Sequence, residues 1–332
     1  MIGLRRALVL AGLVLGQAGL AQAPKLAPAP KPELAPKTDA AQKPDLAYGA
    51  YQAGHYRRAQ TEALKRIEAD NGDAAAMTLL GEIYRQGLGV APSQKAATEW
   101  YERAAERGDV NAIYALALAL LEGPDKANQA RAGALLEKAA AAGHPAANYN
   151  LALALLATGQ EPDAKRAVAC LEIAANANLG DAEYALAILY KQGRGVARDE
   201  ARAADWMARA VDNGAIAAEI EYAIMLFNGS GVAKDEVAAA KLFLRAAYKG
   251  NAIAQNRLAR LYQAGRGINP DSAEAAAWHL AARAQGLSDP VLDQLIDRLT
   301  PEQLNRAAQL AAQRIESTAL TSALTTSAEP LK

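Results

Sequence analysis

Few residues in this chain are of a type and spacing that could do chemistry: a recurring Gly-x-Gly loop, three histidines and one cysteine. The loop reads YRQGLGV at 84–90, YKQGRGV at 190–196, LFNGSGV at 226–232 and YQAGRGI at 262–268. Paired glycines let backbone N–H groups wrap a phosphate, so each copy looks like half of a nucleotide-binding loop. The other half of that signature is missing. A helical pattern rather than a strand precedes the loop, no Lys-Ser or Lys-Thr follows it, and there is no third glycine in dinucleotide register. A catalytic loop is needed once and an architectural one many times. The repetition therefore predicts punctuation between helices, carried by Gly87, Gly89, Gly193, Gly195, Gly229, Gly231, Gly265 and Gly267.

The remaining groups do not converge either. His55, His144 and His279 fall at unrelated positions, with no metal-ligand spacing and no adjacent carboxylate pattern, and are expected to be structural or surface residues. Cys170 stands in the helix column that holds Trp100, Trp206 and Trp278 in other copies, so a small buried apolar role is predicted for it. No catalytic residue, cofactor or metal is expected. Lys plus Arg (36) equals Asp plus Glu (36), which leaves no net field to draw the chain to nucleic acid.

The elements that hold these residues are helices. Apolar residues make up 52% of the chain, yet there are only two phenylalanines, and alanine-rich runs favour closely packed helices. The first glycines of successive loops fall at Gly87, Gly123, Gly159, Gly193, Gly229 and Gly265, a period of thirty-six residues with one step of thirty-four. Eleven residues before them stand Ala76, Ala112, Ala182, Ala218 and Ala254, with Ala147 one place off. Such a period signals stacked helix pairs. In GDAAAMTLLGEIYRQG the positions Ala76, Leu80, Ile83 and Tyr84 make one apolar stripe, and Gly87 stands where a helix end needs positive φ. Each second helix sets a large ring four residues before an alanine (Trp100 with Ala104, Trp206 with Ala210, Trp278 with Ala282), which predicts interlocking of neighbours. The expected fold is all-α, a right-handed α-solenoid of stacked antiparallel helix pairs forming a superhelix.

The ends differ from this body. Residues 1–23 read as a secretory signal: Arg5 and Arg6, an apolar run from Ala7 to Leu15 too short to span a membrane, then small residues. Cleavage after Ala18, Ala21 or Ala23 fits the pattern. Residues 24–44, rich in Pro, Ala and Lys, read as a disordered linker favouring polyproline II. The solenoid is expected over 45–286, capping helices over 287–316 and a disordered tail over 317–332. In Thr300-Pro301-Glu302-Gln303 a hydroxyl N-cap, an N1 proline and a glutamine three residues on mark a helix start. An exported, soluble chain with no membrane span after signal removal is implied, and its single cysteine can make no internal disulfide.

These columns resemble the Sel1-like repeat, a relative of the tetratricopeptide repeat. The likeness rests on the starts Gly72-Asp73 and Gly108-Asp109, the Tyr-x-x-Gly-x-Gly-Val loops and KAATEWYERAAERG, and it covers roughly 47–286. The second and third copies depart from it, with LLEGPDKAN and LLATGQEPD in place of the double-glycine loop. The resemblance implies a TPR-like array that binds another protein. In that geometry the first helix of each pair lines the concave side, where Tyr114, Tyr149 and Tyr184 would either form a ladder above Leu118 and Ile188 or pack between neighbouring repeats. The opening helix pair is similar to that of exported relatives, including periplasmic regulators of exopolysaccharide synthesis, which implies a periplasmic regulator or scaffold. The partner would then be a membrane sensor or an envelope assembly factor. The same family implies one alternative, a hydrolase acting on β-lactams or peptidoglycan, whose paired cysteines are missing here, and the Lys- and Pro-rich residues 24–44 suit another, a cell-wall-associated adaptor.

Overall fold

A computed structural model describes residues 45–122 and 125–327, with side chains as far as 317. The expected signal (1–23), the linker (24–44) and residues 328–332 lie outside the described residues. Among those described there are sixteen α-helices and no strand.

The helices come in pairs: α1 (Leu46–Gln52) with α2 (Tyr56–Ala69), α3 (Ala74–Gln86) with α4 (Gln94–Glu106), α5 (Val110–Glu122) with α6 (Lys126–Ala141), and α7 (Pro145–Ala157) with α8 (Glu161–Asn176). The series continues through α9 (Gly180–Gln192), α10 (Glu200–Asp212), α11 (Ile216–Asn228), α12 (Glu236–Tyr248), α13 (Ala252–Ala264) and α14 (Ser272–Ala284), and ends with α15 (Pro290–Ile296) and α16 (Pro301–Ser327). The chain divides into two compact units, one running through 189 with 193–197, the other comprising 190–192 and the residues from 198 on. In the first unit each helix from α1 to α8 packs on the next; in the second the same holds from α10 to α14. This is the stacked-pair architecture of an α-solenoid.

Local chemistry sets the boundaries. Asp73, Asp109 and Asn251 each accept the N–H three residues on and so cap a first helix; Ser93, Asp199 and Asp235 do the same for second helices. First helices with a double-glycine loop end at a left-handed glycine. The amides of Gly87 and Leu88 both donate to the Ile83 carbonyl, and the Ser93 amide then donates to Tyr84 O at 2.9 Å, closing the loop. The corresponding closing bond returns from Asp199 to Tyr190, from Asp235 to Leu226 and from Asp271 to Tyr262. All eight loop glycines expected to serve as punctuation have φ between 63° and 74°.

Alanine dominates the core and brings helices close. At Gly81 in α3 even a methyl group would lie 2.4 Å from the Tyr101 ring of α4. Trp278 is buried, edge-on to Tyr248 with centroids 5.2 Å apart. Trp100 and Trp206 are half-buried, and each ring carries an arginine of its own helix, Arg103 at 4.3 Å and Arg209 at 4.2 Å.

At the C-terminal end α16 packs on α14 through Ala307 and Ala311 against Ala273, Ala276 and Ala277. Thr300 and Gln303 exchange the two hydrogen bonds of a capping box. Arg314 lays its guanidinium 3.8 Å over Trp278 and bonds Glu274. Helix α16 runs to Ser327, into the residues expected as the tail (317–332).

Candidate functional site

The column read as a tyrosine ladder sits at the fifth residue of α5, α7 and α9. The structure places most of it inside the stack. Tyr114 is 0% exposed and Tyr149 is 1% exposed, whereas Tyr184 is half-buried. Asn150, one repeat further on, donates to the Tyr114 hydroxyl at 2.8 Å, and the His144 ring stacks on Tyr114 with centroids 4.5 Å apart. Burial pushes both the Tyr114 and the Tyr149 hydroxyls well above the ordinary phenol range. Ile188 is wholly buried and Leu118 half-buried. The expected open ladder is corrected accordingly: Tyr114, Tyr149 and Ile188 are buried, Tyr114 bonding to the next repeat through Asn150, while Leu118 and Tyr184 keep part of their surface. Helical periodicity identified the face but not the neighbouring helix that covers it.

The histidines separate. His55 is exposed at the start of α2. His144 caps α7, its Nδ1 accepting the Ala147 N–H at 3.1 Å, and burial lowers its pKa to about 4. His279 is fully buried and its Nε2 lies 2.9 Å from Asp293 of α15, a carboxylate partner that the sequence pattern did not suggest. Cys170 is half-buried in α8, and burial raises its thiol pKa, so the thiolate is disfavoured. Among the described residues no group of three or more His, Cys, Asp or Glu could hold a metal ion.

Sequence reading missed the buried polar groups. Glu82, deep in the stripe of α3, accepts from Tyr101 at 2.8 Å, from Arg85 at 2.6 Å and from Gln86. Burial alone would raise its pKa, but these donors outweigh it and hold the carboxyl below the usual range. A second set occupies the position held by Met77 and Ile113 in the first two family copies. Asn148 donates to the Ala140 and His144 carbonyls, Glu219 accepts from Lys249 at 2.7 Å and lies 3.0 Å from Arg245, and Gln255 bonds both Ala247 O and Gln285. The available signal was a position that is apolar in the first two copies, Met77 and Ile113, and polar in the four that follow. At the end of the array Asp289 is 3% exposed, takes a two-pronged bond from Arg260 at 2.6 and 2.9 Å, and accepts from Asn256. Asn148, Gln255 and Asp289 join one repeat to the next element, whereas Glu82 and Glu219 tie the two helices of a single repeat.

No described helix is long and apolar enough to cross a membrane. A Sel1 repeat protein from Oxalobacter formigenes has a similar solved structure, with 26% identity, coverage of 74% of this chain and all of that one, and a TM-score of 0.59. Another solved structure, of a protective antigen present in uropathogenic Escherichia coli strains displaying an SLR fold, aligns over 99% of this chain and 80% of its own at 20% identity, with a TM-score of 0.34. No curated protein matches the sequence. The Sel1 repeat itself matches six times in tandem, over residues 74–109, 110–144, 145–179, 180–214, 216–251 and 252–287. The chain belongs to the Sel1 repeat family, whose members generally mediate protein–protein interaction.

Proposed function

We propose that this chain is a non-enzymatic scaffold or regulator that works by binding another protein along its array of helix pairs, after export to the periplasm or beyond. The observation that carries the reading is the tandem of six Sel1 repeats, which devotes most of the described chain to repeat-to-repeat packing and lays successive helix pairs side by side. The buried polar residues support it, since each is engaged by a neighbouring helix or turn. The signal-like residues 1–23 support export, and a membrane sensor or an envelope assembly factor fits that compartment as the partner.

Among the five residues expected to line the groove, Leu118 and Tyr184 keep surface, and they are where a partner would be met. Photo-crosslinking in living cells, with the crosslinker at Leu118, at Tyr184 and at exposed Arg58 as control, tests the reading. One protein captured at the first two positions and not at the control is expected. A folded, exported protein that captures nothing at either, or purified protein that turns over nitrocefin or muropeptides, would overturn it.

A further inference from the structure

Three of the twelve tyrosines stand close together at 48, 51 and 56, directly after the stretch 24–44 that holds six of the fourteen prolines. They belong to α1 and α2, which precede the first matched Sel1 repeat at 74, so no repeat column accounts for them. The rings form one aromatic surface. Tyr48 and Tyr51 lie with planes 12° and centroids 6.4 Å apart, and Tyr56 stands edge-on to Tyr51 at 5.7 Å. All three are half-buried, so each keeps part of its surface. The point where the proline-rich stretch joins is fixed beside them: Asp45 accepts the Ala47 and Tyr48 amides at 3.1 and 3.0 Å and takes a bond from Arg66 at 2.5 Å.

The stretch itself is patterned. Its lysines stand at 25, 31, 37 and 43, every sixth residue. A polyproline II helix has three residues per turn, so this spacing puts all four on one edge. The same count puts Leu26, Ala29, Pro32 and Ala35 on a second edge that carries no charge. A spacer that met only water would need no such edge. Aromatic surfaces are what polyproline II segments dock on, and a helix already extended loses little entropy in doing so. Length allows it as well. From Ala35 to Asp45 the chain can extend about 33 Å, whereas Tyr51 lies only about 9 Å along α1 from Asp45. The prolines therefore reach the rings with enough chain left to reverse direction, and so short a tether holds them there at a concentration of roughly millimolar order.

We propose that residues 24–36 fold back as a polyproline II strand and lay the edge of Leu26, Ala29, Pro32 and Ala35 on Tyr48, Tyr51 and Tyr56, with the lysine edge turned to solvent. The stretch is then a clasp on the first helix pair rather than a loose spacer, and its lysines form a fixed basic edge at that end of the chain. The inference goes beyond the protein-binding reading and does not depend on it.

The test uses the full mature chain with Cys170→Ala and Lys31→Cys, a nitroxide attached at position 31, and NMR of the tyrosine rings. The signals of Tyr48, Tyr51 and Tyr56 should be lost and should return on reduction of the nitroxide, while those of Tyr114 and Tyr149 persist. Leu26→Asn, Ala29→Asn, Pro32→Asn and Ala35→Asn together touch none of the sixteen helices and should restore the three signals without reduction. Lys25→Gln with Lys37→Gln should not. Rings untouched by the nitroxide would overturn the inference. Equal broadening with the apolar edge intact or removed, the mark of a loose tether, would overturn it too. So would broadening that passes from a nitroxide-bearing chain to an isotopically labelled chain mixed with it, which would give the clasp to a second copy.

Discussion

Gly231 of one loop rests on Glu200 of the preceding second helix so closely that a Cβ on the glycine would come 1.9 Å from the Glu200 carbonyl oxygen. The residue has φ of +70°, so two separate demands exclude a side chain there: backbone conformation and the approach of another backbone. Gly214, with φ of +81° and nothing within 4 Å of its added Cβ, meets only the first demand.

Gly214→Ala should therefore cost about 1 kcal/mol, the penalty for a left-handed alanine, whereas Gly231→Ala should cost about 3 kcal/mol or more because the two backbones must also part. Urea unfolding of both variants decides it. Equal losses would mean that the loop yields without strain and that the contact does not set the repeat spacing.

Asn178 is the one non-glycine with positive φ among the described residues, at 60°, and it closes α8 where Gly108, Gly143, Gly214, Gly250 and Gly286 close α4, α6, α10, α12 and α14. Asparagine tolerates this region better than other side chains but less well than glycine. Asn178→Gly is expected to leave stability unchanged or raise it by about 0.5 kcal/mol, and Asn178→Ala to lower it by about 1 kcal/mol. Thermal unfolding of the pair checks both signs.

These loops were legible in the sequence because a left-handed backbone excludes nearly every side chain, so glycine recurs wherever the geometry does. The second demand on Gly195, Gly231 and Gly267 was not legible, since the atoms they approach lie about thirty residues away. The tyrosine column was misread for a related reason. Periodicity shows that Tyr114 and Tyr149 share a face, but not that His144 and Asn150, from the start of the next helix pair, close over Tyr114. Glu82, Glu219 and Asp289 stayed hidden because a carboxylate within an apolar stripe shows nothing of the arginine, lysine or tyrosine that folding brings to it. The alanine column and the glycine column gave no such difficulty, because close packing and left-handed backbone impose the same size limit from copy to copy.

Asp289 holds the end of the array to α13, and its two-pronged bond from Arg260 with the Asn256 donor makes acid a specific threat to this joint. Burial works to raise its pKa, yet these donors lower it to about 2. A carboxylate depressed in the fold contributes stability that is fully present above its unfolded pKa of about 3.9 and is lost as pH falls through the folded value. Between about pH 5 and pH 2 the wild type should lose stability more steeply than Asp289→Asn, which has already lost the charged contact. Urea midpoints across that range are the measurement, and parallel slopes would show that Asp289 is not the linked group.

His144 works in a different window and with the opposite chemistry. Its Nδ1 accepts the Ala147 N–H, its ring stacks on Tyr114, and burial lowers its pKa to about 4. In the unfolded chain the imidazole takes its proton near pH 6.5, so between about 6.5 and 4 the unfolded state binds more protons and stability falls as pH falls. Above that range the group contributes no slope. Asn at this position keeps an acceptor for the Ala147 N–H but has nothing to titrate. His144→Asn should therefore be less stable than the wild type at pH 7, through loss of the ring contact with Tyr114, and should show a flatter profile between pH 6.5 and 4. The two curves should converge as the medium turns acidic. A wild-type profile as flat as the variant's, or an imidazole NMR titration for His144 near its unfolded value, would show that the ring is open to protons and that its contact with Tyr114 does not hold the second and third repeats together.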